Sequence, residues 1–297
     1  LGAVALVMFS LPLSAPDAWR NLFLVGSIGL VIAPLAAIAL PESVRWCLSK
    51  GQVDRAERIV SQLEARVPRN RPLDALALVT APAGAKALTL RDLLANKSVL
   101  RAMAIVAVGY FGSTFAYYLF QNWGTYALVY GLKYSEEKAY NVLFLWSVIY
   151  CVTPFIAMAF MDRLERKSII LAMSVLSAVS LVVLGVSTDE WVVVGAGGLI
   201  AIVTGLVINA YYAYIPETLP TAARALGSGL VISCGRIGGA LSGVMGAWLF
   251  EVGSMAGVMC IAAACYIVFA LPVALFGPRT TNRSLETVTR EELSGAH

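Results

Sequence analysis

The chain has 297 residues, of which 59% are apolar and only 13% charged, and its formal net charge is +4. Ordinary soluble domains carry about 25% charged residues, so this composition excludes an ordinary soluble domain and indicates a chain solvated mainly by lipid. The sole histidine is the terminal His297, which removes His-based triads and zinc sites, and the five cysteines, lacking metal-ligand spacing, read as small buried side chains.

In chain order, Leu1 to Leu13 is short for a span and reads as the tail of a helix. There is no initiator methionine and no signal peptide, so the chain reads as the later part of something longer. A loop with Trp19 at the interface leads into Leu22 to Leu40, long enough to cross a hydrocarbon core of about 30 Å. A polar segment follows from residue 41 to residue 101. Within it Val53, Ala56, Ile59, Val60 and Leu63 recur at helical spacing opposite Asp54, Arg55, Glu57 and Arg58, predicting an amphipathic surface helix. Pro68 and Pro72 end that helix, residues 75–87 read as linker, and residues 88–94 read as a second short surface helix. Six further spans are predicted at about 102–130, 139–161, 168–187, 191–215, 228–250 and 254–276, followed by a polar tail from Pro278.

The basic residues fix an orientation. If residues 42–101 are cytoplasmic, alternate joints share that side, which then receives 18 of the 22 Lys and Arg residues, while the outside receives only Arg20, Lys133 and Lys138. The remaining one is Arg236, the only charge deep inside a predicted span. Burying it costs about 3 kcal/mol on insertion scales. The readings open for it are contact with an anionic solute, a structural or gating ion pair, and snorkelling to the surface. Its neighbours Gly235, Gly239 and Gly243 repeat at four residues, which suits close helix packing.

Span 102–130 is the most polar one. Tyr110, Thr114, Tyr117, Tyr118 and Gln121, with Thr125, share one broad helical face, which suits the wall of a solute cavity. Helix–helix hydrogen bonding is the plainer alternative, and near the outer end so is an aromatic interface belt. Asn209 and Tyr212 form a smaller polar face in the span before residue 216, with Gly205 one turn earlier.

Four motifs then stand in register: Pro41-Glu-Ser-Val-Arg-Trp46, Asp162-Arg-Leu-Glu-Arg-Lys167, Pro216-Glu-Thr-Leu-Pro-Thr-Ala-Ala-Arg-Ala-Leu-Gly227 and Gly277-Pro-Arg-Thr-Thr-Asn-Arg-Ser-Leu-Glu286. Together they resemble the major facilitator superfamily in its sugar-porter and metabolite:proton-symporter branch. The resemblance implies an all-α integral membrane fold, with the C-terminal six-helix bundle preceded by one to two helices and the first four of twelve helices missing. Residues 1–40 would end the N-terminal bundle, 41–101 form a cytoplasmic linker, 102–277 the C-terminal bundle and 278–297 a cytoplasmic tail. It also implies that Glu42, Arg45, Asp162, Arg163, Arg166, Glu217 and Arg224 form cytoplasmic ion pairs that latch one rocking state. Glu165 stands where the family usually has Gly, which puts the tight turn of that joint in doubt.

The resemblance makes the expected function secondary active transport of a small organic solute by alternating access, proton-coupled, in the plasma membrane with a cytoplasmic C-terminus. The sugar porters' paired glutamines in the seventh helix, and their Gly-Pro…Trp pattern in the tenth, are absent from residues 109–116 and 209–214. That moves the expected solute from sugars toward organic or aromatic acids. A sugar:proton symporter and a truncated non-transporting membrane protein are the alternatives. No acidic residue lies deep in any span, so a proton-coupling carboxylate would lie outside this chain. The partners expected are the solute, a proton, the bilayer and the missing helices; no enzyme activity, cofactor, metal or nucleic acid is read. Cysteines placed at Lys138 and Arg283 in a cysteine-free background are predicted to label from opposite sides of the membrane, Lys138 from outside. Labelling of both from one side would overturn the span count.

Overall fold

The computed structural model describes residues 18–42, 44, 47, 51–65, 95–161, 163–219, 224–278 and 280. The chain divides into two compact units, residues 6–87 and a larger unit built mainly from residues 88–297. In the smaller unit, α1 runs Ala18–Ala39, starting four residues before the predicted span, with Pro34 inside it. Next, α2 runs Val53–Glu64, with Asp54 in its first turn, where a carboxylate faces the positive end of the helix dipole. Its stripe is only partly covered: Ala56 and Ile59 pack with Cys47 and Val44, whereas Val53 and Leu63 stay exposed. The readings of residues 1–13, 68–87 and 88–94 lie outside the described residues.

The larger unit is a helical bundle: α3 Lys97–Tyr126, α4 Glu136–Phe160, α5 Arg166–Val186, α6 Glu190–Glu217, α7 Arg224–Val252 and α8 Met255–Phe276. Each is long and apolar enough to cross a membrane. The fold is all-α among the described residues, as the composition requires, since in lipid a helix satisfies its own backbone polar groups.

The helix starts are chemically marked. The side chains of Asn96, Ser135, Asp189 and Ser254 each accept a backbone N–H from the first turn that follows, at 3.1–3.3 Å. The Asn96 cap explains one departure from the sequence reading: α3 begins at Lys97, five residues before the predicted span, so Lys97 and Arg101 belong to the helix rather than to the linker. At its far end α3 widens into one π-helical turn, Ala127–Gly131, closed where the Leu132 N–H donates to the Ala127 carbonyl at 3.2 Å. The turn ends at Lys133, whose φ of 59° is a left-handed conformation.

Packing fixes the order of helices around the bundle. Going round, α4 lies against α6, α6 against α5, α5 against α8, α8 against α3, and α3 against α7. Across the middle, the α3–α7 pair and the α4–α6 pair touch only sparingly along the lane where they face each other. The close pairs are built from aromatic rings set onto glycine backbone. Trp146 of α4 rests on Gly197 of α6 and donates its indole N–H to the Val194 carbonyl at 3.0 Å; Phe269 of α8 rests on Gly112 of α3. A Cβ at Gly197 would overlap the indole, whereas one at Gly195, two residues away, would meet nothing within 4 Å. Gly197→Ala should therefore lower the unfolding temperature in detergent, with an overpacking penalty of about 1–3 kcal/mol, and Gly195→Ala should not. Equal effects of the two would show that this ring-on-glycine contact does not hold α4 to α6.

Candidate functional site

The lane between the two helix pairs contains Arg236 of α7. It is exposed to the lane, and its Nη1 donates to the Tyr118 hydroxyl of α3 at 3.1 Å and its Nη2 to the Tyr212 hydroxyl of α6 at 3.4 Å. Two turns of α7 separate Arg236 from Gly229, so a charge that α7 alone would leave unsatisfied is held by neighbours on two other helices. Among the described residues no carboxylate pairs with it. A guanidinium has five N–H donors and no acceptor, so three donors remain beyond the two phenols.

Rings surround the guanidinium. Tyr110 stands edge-on to Tyr212 with ring centres 6.2 Å apart, and Tyr117 edge-on to Tyr118 at 5.1 Å. Tyr150 of α4 closes the group against Tyr117 at 6.2 Å. These edge-to-face arrangements are favoured by the ring quadrupoles and fix ring orientation. Glycines of α7 admit the rings: a Cβ at Gly239 would lie 2.7 Å from the Tyr118 ring, and one at Gly235 would overlap Tyr110. The predicted glycine stripe is thus a seat for side chains of α3 at these two positions, while Gly243 meets nothing within 4 Å. Gly205, buried, packs instead on Thr153 and Tyr150 of α4.

The remaining predicted cavity residues fall in different places. Gln121 and Asn209 are half-buried, and among the described residues neither amide makes a hydrogen bond. Thr114 is buried and turned away from Arg236's partners: its hydroxyl lies 2.7 Å from the Tyr110 carbonyl and 2.9 Å from the Gly235 carbonyl, tying α3 to α7. Tyr110 and Tyr117 are nearly fully buried and contribute ring edges to the group. Tyr150 is the member that the sequence reading missed. A mid-span tyrosine three residues from both Ser147 and Thr153 is the signal that could have found it.

A second constellation occupies the bundle end formed by residues 161, 163–167, 214–219, 224, 277, 278 and 280. Arg166, buried, donates from Nη2 to Glu217 Oε1 at 3.4 Å and from Nη1 to the Met161 carbonyl. The other Glu217 oxygen accepts the Thr280 hydroxyl at 2.7 Å, and the Thr280 N–H donates to Glu165 Oε1 at 3.1 Å. Lys167 Nζ donates to the Gly277 carbonyl at 3.1 Å and the Tyr214 hydroxyl to the Pro278 carbonyl at 2.8 Å. Glu165, where a glycine was expected, therefore anchors the tail. Arg224 donates to the Pro216 carbonyl at 2.9 Å, linking the start of α7 to the end of α6. Arg163 is exposed; Asp162 and Arg45 lie outside the described residues, and Glu42 belongs to the smaller unit.

At the opposite end, Lys138 pairs with Glu190 at 2.5 Å and lies over the Tyr134 ring at 4.3 Å. Near that end a cavity of about 370 Å³ is lined by Trp123, Tyr126, Tyr130, Glu136, Tyr140 and Gly243, among others. Among the described residues no cluster of His, Cys, Asp and Glu could hold a metal.

Residues 2–291 match the family model described as sugar (and other) transporter. The chain is 27% identical over 286 residues to YdjK of Escherichia coli (strain K12), which is named as a candidate metabolite transport protein, covering 93% of this chain and 61% of that one. It is 23% identical over 278 residues to the niacin transporter NiaP of Acinetobacter baylyi, covering 91% of this chain and 61% of that one. Among solved structures, the major facilitator proton:xylose symporter XylE, bound to 6-bromo-6-deoxy-D-glucose, aligns with a TM-score of 0.67 at 16% identity, over 98% of this chain and 62% of that chain. The chain thus spans about three-fifths of the length of the proteins it matches.

The Arg166–Glu217 contact yields its own prediction. In a double-mutant cycle of Arg166→Ala and Glu217→Ala, unfolding in detergent should show a coupling energy of about 0.5–3 kcal/mol. Additive effects would mean that the two side chains are neighbours without interacting.

Proposed function

Because the chain belongs to the sugar (and other) transporter family, we propose that its helical bundle forms one wall of the path of a secondary transporter for small organic acids, with Arg236 as the anion anchor. The observation that supports this reading is a guanidinium, set in the lane between two helix pairs, whose hydrogen-bond partners among the described residues are two neutral phenols rather than a carboxylate. An ion pair within the bundle would have placed an acid beside it among the described residues, and snorkelling would have drawn the guanidinium toward a bundle end. Arginine's planar fork matches a carboxylate through parallel hydrogen bonds, which a lysine cannot reproduce. The ring group suits a flat solute, and the relative NiaP is named for niacin.

In this reading a second bundle supplies the facing wall, and the two rock about the solute. The Arg166–Glu217–Thr280 group acts as a latch at one end. The coupling ion is a proton, its carboxylate lying outside this bundle, since no described mid-span position of α3–α8 is Asp or Glu. The membrane is the plasma membrane, and the basic joints, with the C-terminus, face the cytoplasm. A sugar carrier is the second reading, favoured by the two uncommitted amides of Gln121 and Asn209.

Uptake of labelled benzoate, nicotinate, glucose and xylose by the intact transporter separates the two readings. With an acid as solute, Arg236→Lys should raise the apparent substrate constant by about tenfold, on the order of 1.4 kcal/mol, with surface expression kept. Acid transport at unchanged affinity in Arg236→Lys or Arg236→Gln would overturn the anchor role, and uptake of the sugars alone would favour the second reading.

A further inference from the structure

We propose that the Tyr118 and Tyr212 hydroxyls determine specificity: together with Arg236 they form a single three-residue receptor for a carboxylate and discriminate against its uncharged isosteres. This rests on the anchor role proposed for Arg236 and gives the two phenols a chemical part in it.

The argument begins with hydrogen-bond direction. A guanidinium can only donate, so each phenol oxygen that meets Arg236 is the acceptor and its own O–H proton is not spent there. Among the described residues, neither hydroxyl has a carbonyl or a carboxylate within hydrogen-bond reach. Two O–H donors and three N–H donors, contributed from α3, α6 and α7, therefore surround the guanidinium, with the Tyr110 hydroxyl beside that of Tyr212, and among the described residues no anion takes them. Tyr212 and Arg236 are both exposed to the lane. An oxyanion brought out of water requires this: each carboxylate oxygen offers two lone-pair sites, and a buried charge without partners is strongly disfavoured. A neutral amide isostere presents one carbonyl oxygen and an N–H₂ group that would face donors. The receptor thus selects by protonation state and charge rather than by ring shape.

A separate observation shows that the position of the phenols is built. The Tyr118 ring lies directly on the α7 backbone at Gly239, where an added Cβ would be 2.7 Å away, only three residues from Arg236. Its other side is held edge-on by Tyr117, and Tyr212 is held edge-on by Tyr110. Each phenol thus has one edge-on ring contact, and Tyr118 has a glycine seat as well, so both oxygens are held in place beside the guanidinium.

The test measures Kd for benzoate and for its neutral isostere benzamide on the purified intact transporter by titration calorimetry. The readout is the ratio of the two constants, which a merely structural role of the phenols would leave unmoved. Wild type should prefer benzoate at least tenfold. Tyr118→Phe and Tyr212→Phe, each removing one oxygen and keeping the ring, should each reduce that preference about fivefold, and Arg236→Gln should abolish it. Phenylalanine variants that keep the full preference while Arg236→Gln loses it would overturn the receptor and leave the arginine anchor standing. No preference in wild type would overturn both. The two phenylalanine variants lie on different helices, so if one fails to fold, the other still decides.

Discussion

Helices in lipid gain little by hiding apolar side chains from one another, because the tails of the lipids are equally apolar. What holds them is contact close enough for dispersion and for shared hydrogen bonds. In this bundle that contact takes one recurrent form, an aromatic ring on one helix laid over a glycine of the next: Trp146 on Gly197, Phe269 on Gly112, Trp123 on Gly246 and Tyr118 on Gly239. Two of these rings also bond the backbone they cover, Trp146 to Val194 and Trp123 to Ser242. The same device that packs α4 onto α6 therefore sets a phenol beside the only mid-span charge among the described residues. Stability and site share one construction, and a larger residue at a single glycine would act on both.

The two ends of the bundle are organised differently. At one end the tail is drawn across the ends of α5 and α6 by a chain of alternating partners: Arg166, Glu217, Thr280, Glu165. Glu217 is shared between a buried guanidinium and a hydroxyl, so displacing the tail would leave half of its hydrogen bonds unmade while the ion pair remained. Such an arrangement can release the tail without unfolding the joint. Among the described residues the other end carries one exposed pair, Lys138 with Glu190, whose attraction water and salt weaken. That end also carries the π-helical turn of α3, where backbone regularity is already interrupted.

Much of this was legible in the chain itself. Runs of about 20 apolar residues locate spans because hydrocarbon thickness sets their length, and the six helices α3–α8 fall where those runs predicted. The start of α3 was misplaced because Lys97 and Arg101 read as linker, whereas the Asn96 cap had already begun the helix. The π turn left no mark in the pattern, since it changes hydrogen-bond register without changing residue type. Thr114 shares a helical face with the tyrosines, but its short hydroxyl reaches carbonyls of its own helix and of α7, a local competition that spacing does not encode. The tail contacts of Thr280 depend on residues 63 and 115 positions away, and no sequence window links them.

The choice of phenols beside Arg236 follows from what each possible neighbour would do to the charge. A carboxylate 4 Å away would attract it by about 4 kcal/mol at an effective dielectric of 20, and would cancel the field that an incoming anion could feel. No polar neighbour at all would leave the guanidinium unsatisfied in the span. A phenol oxygen lies between these limits: it accepts an N–H, holds the plane of the fork and leaves the positive charge whole. Using two phenols from two helices divides the hold, so neither helix pair owns the arginine, and a shift of α7 relative to α6 or α3 would alter one contact before the other. On the proposed reading the anchor has to be firm in position and incompletely neutralised, and α7 carries glycine at the places where the rings of α3 approach.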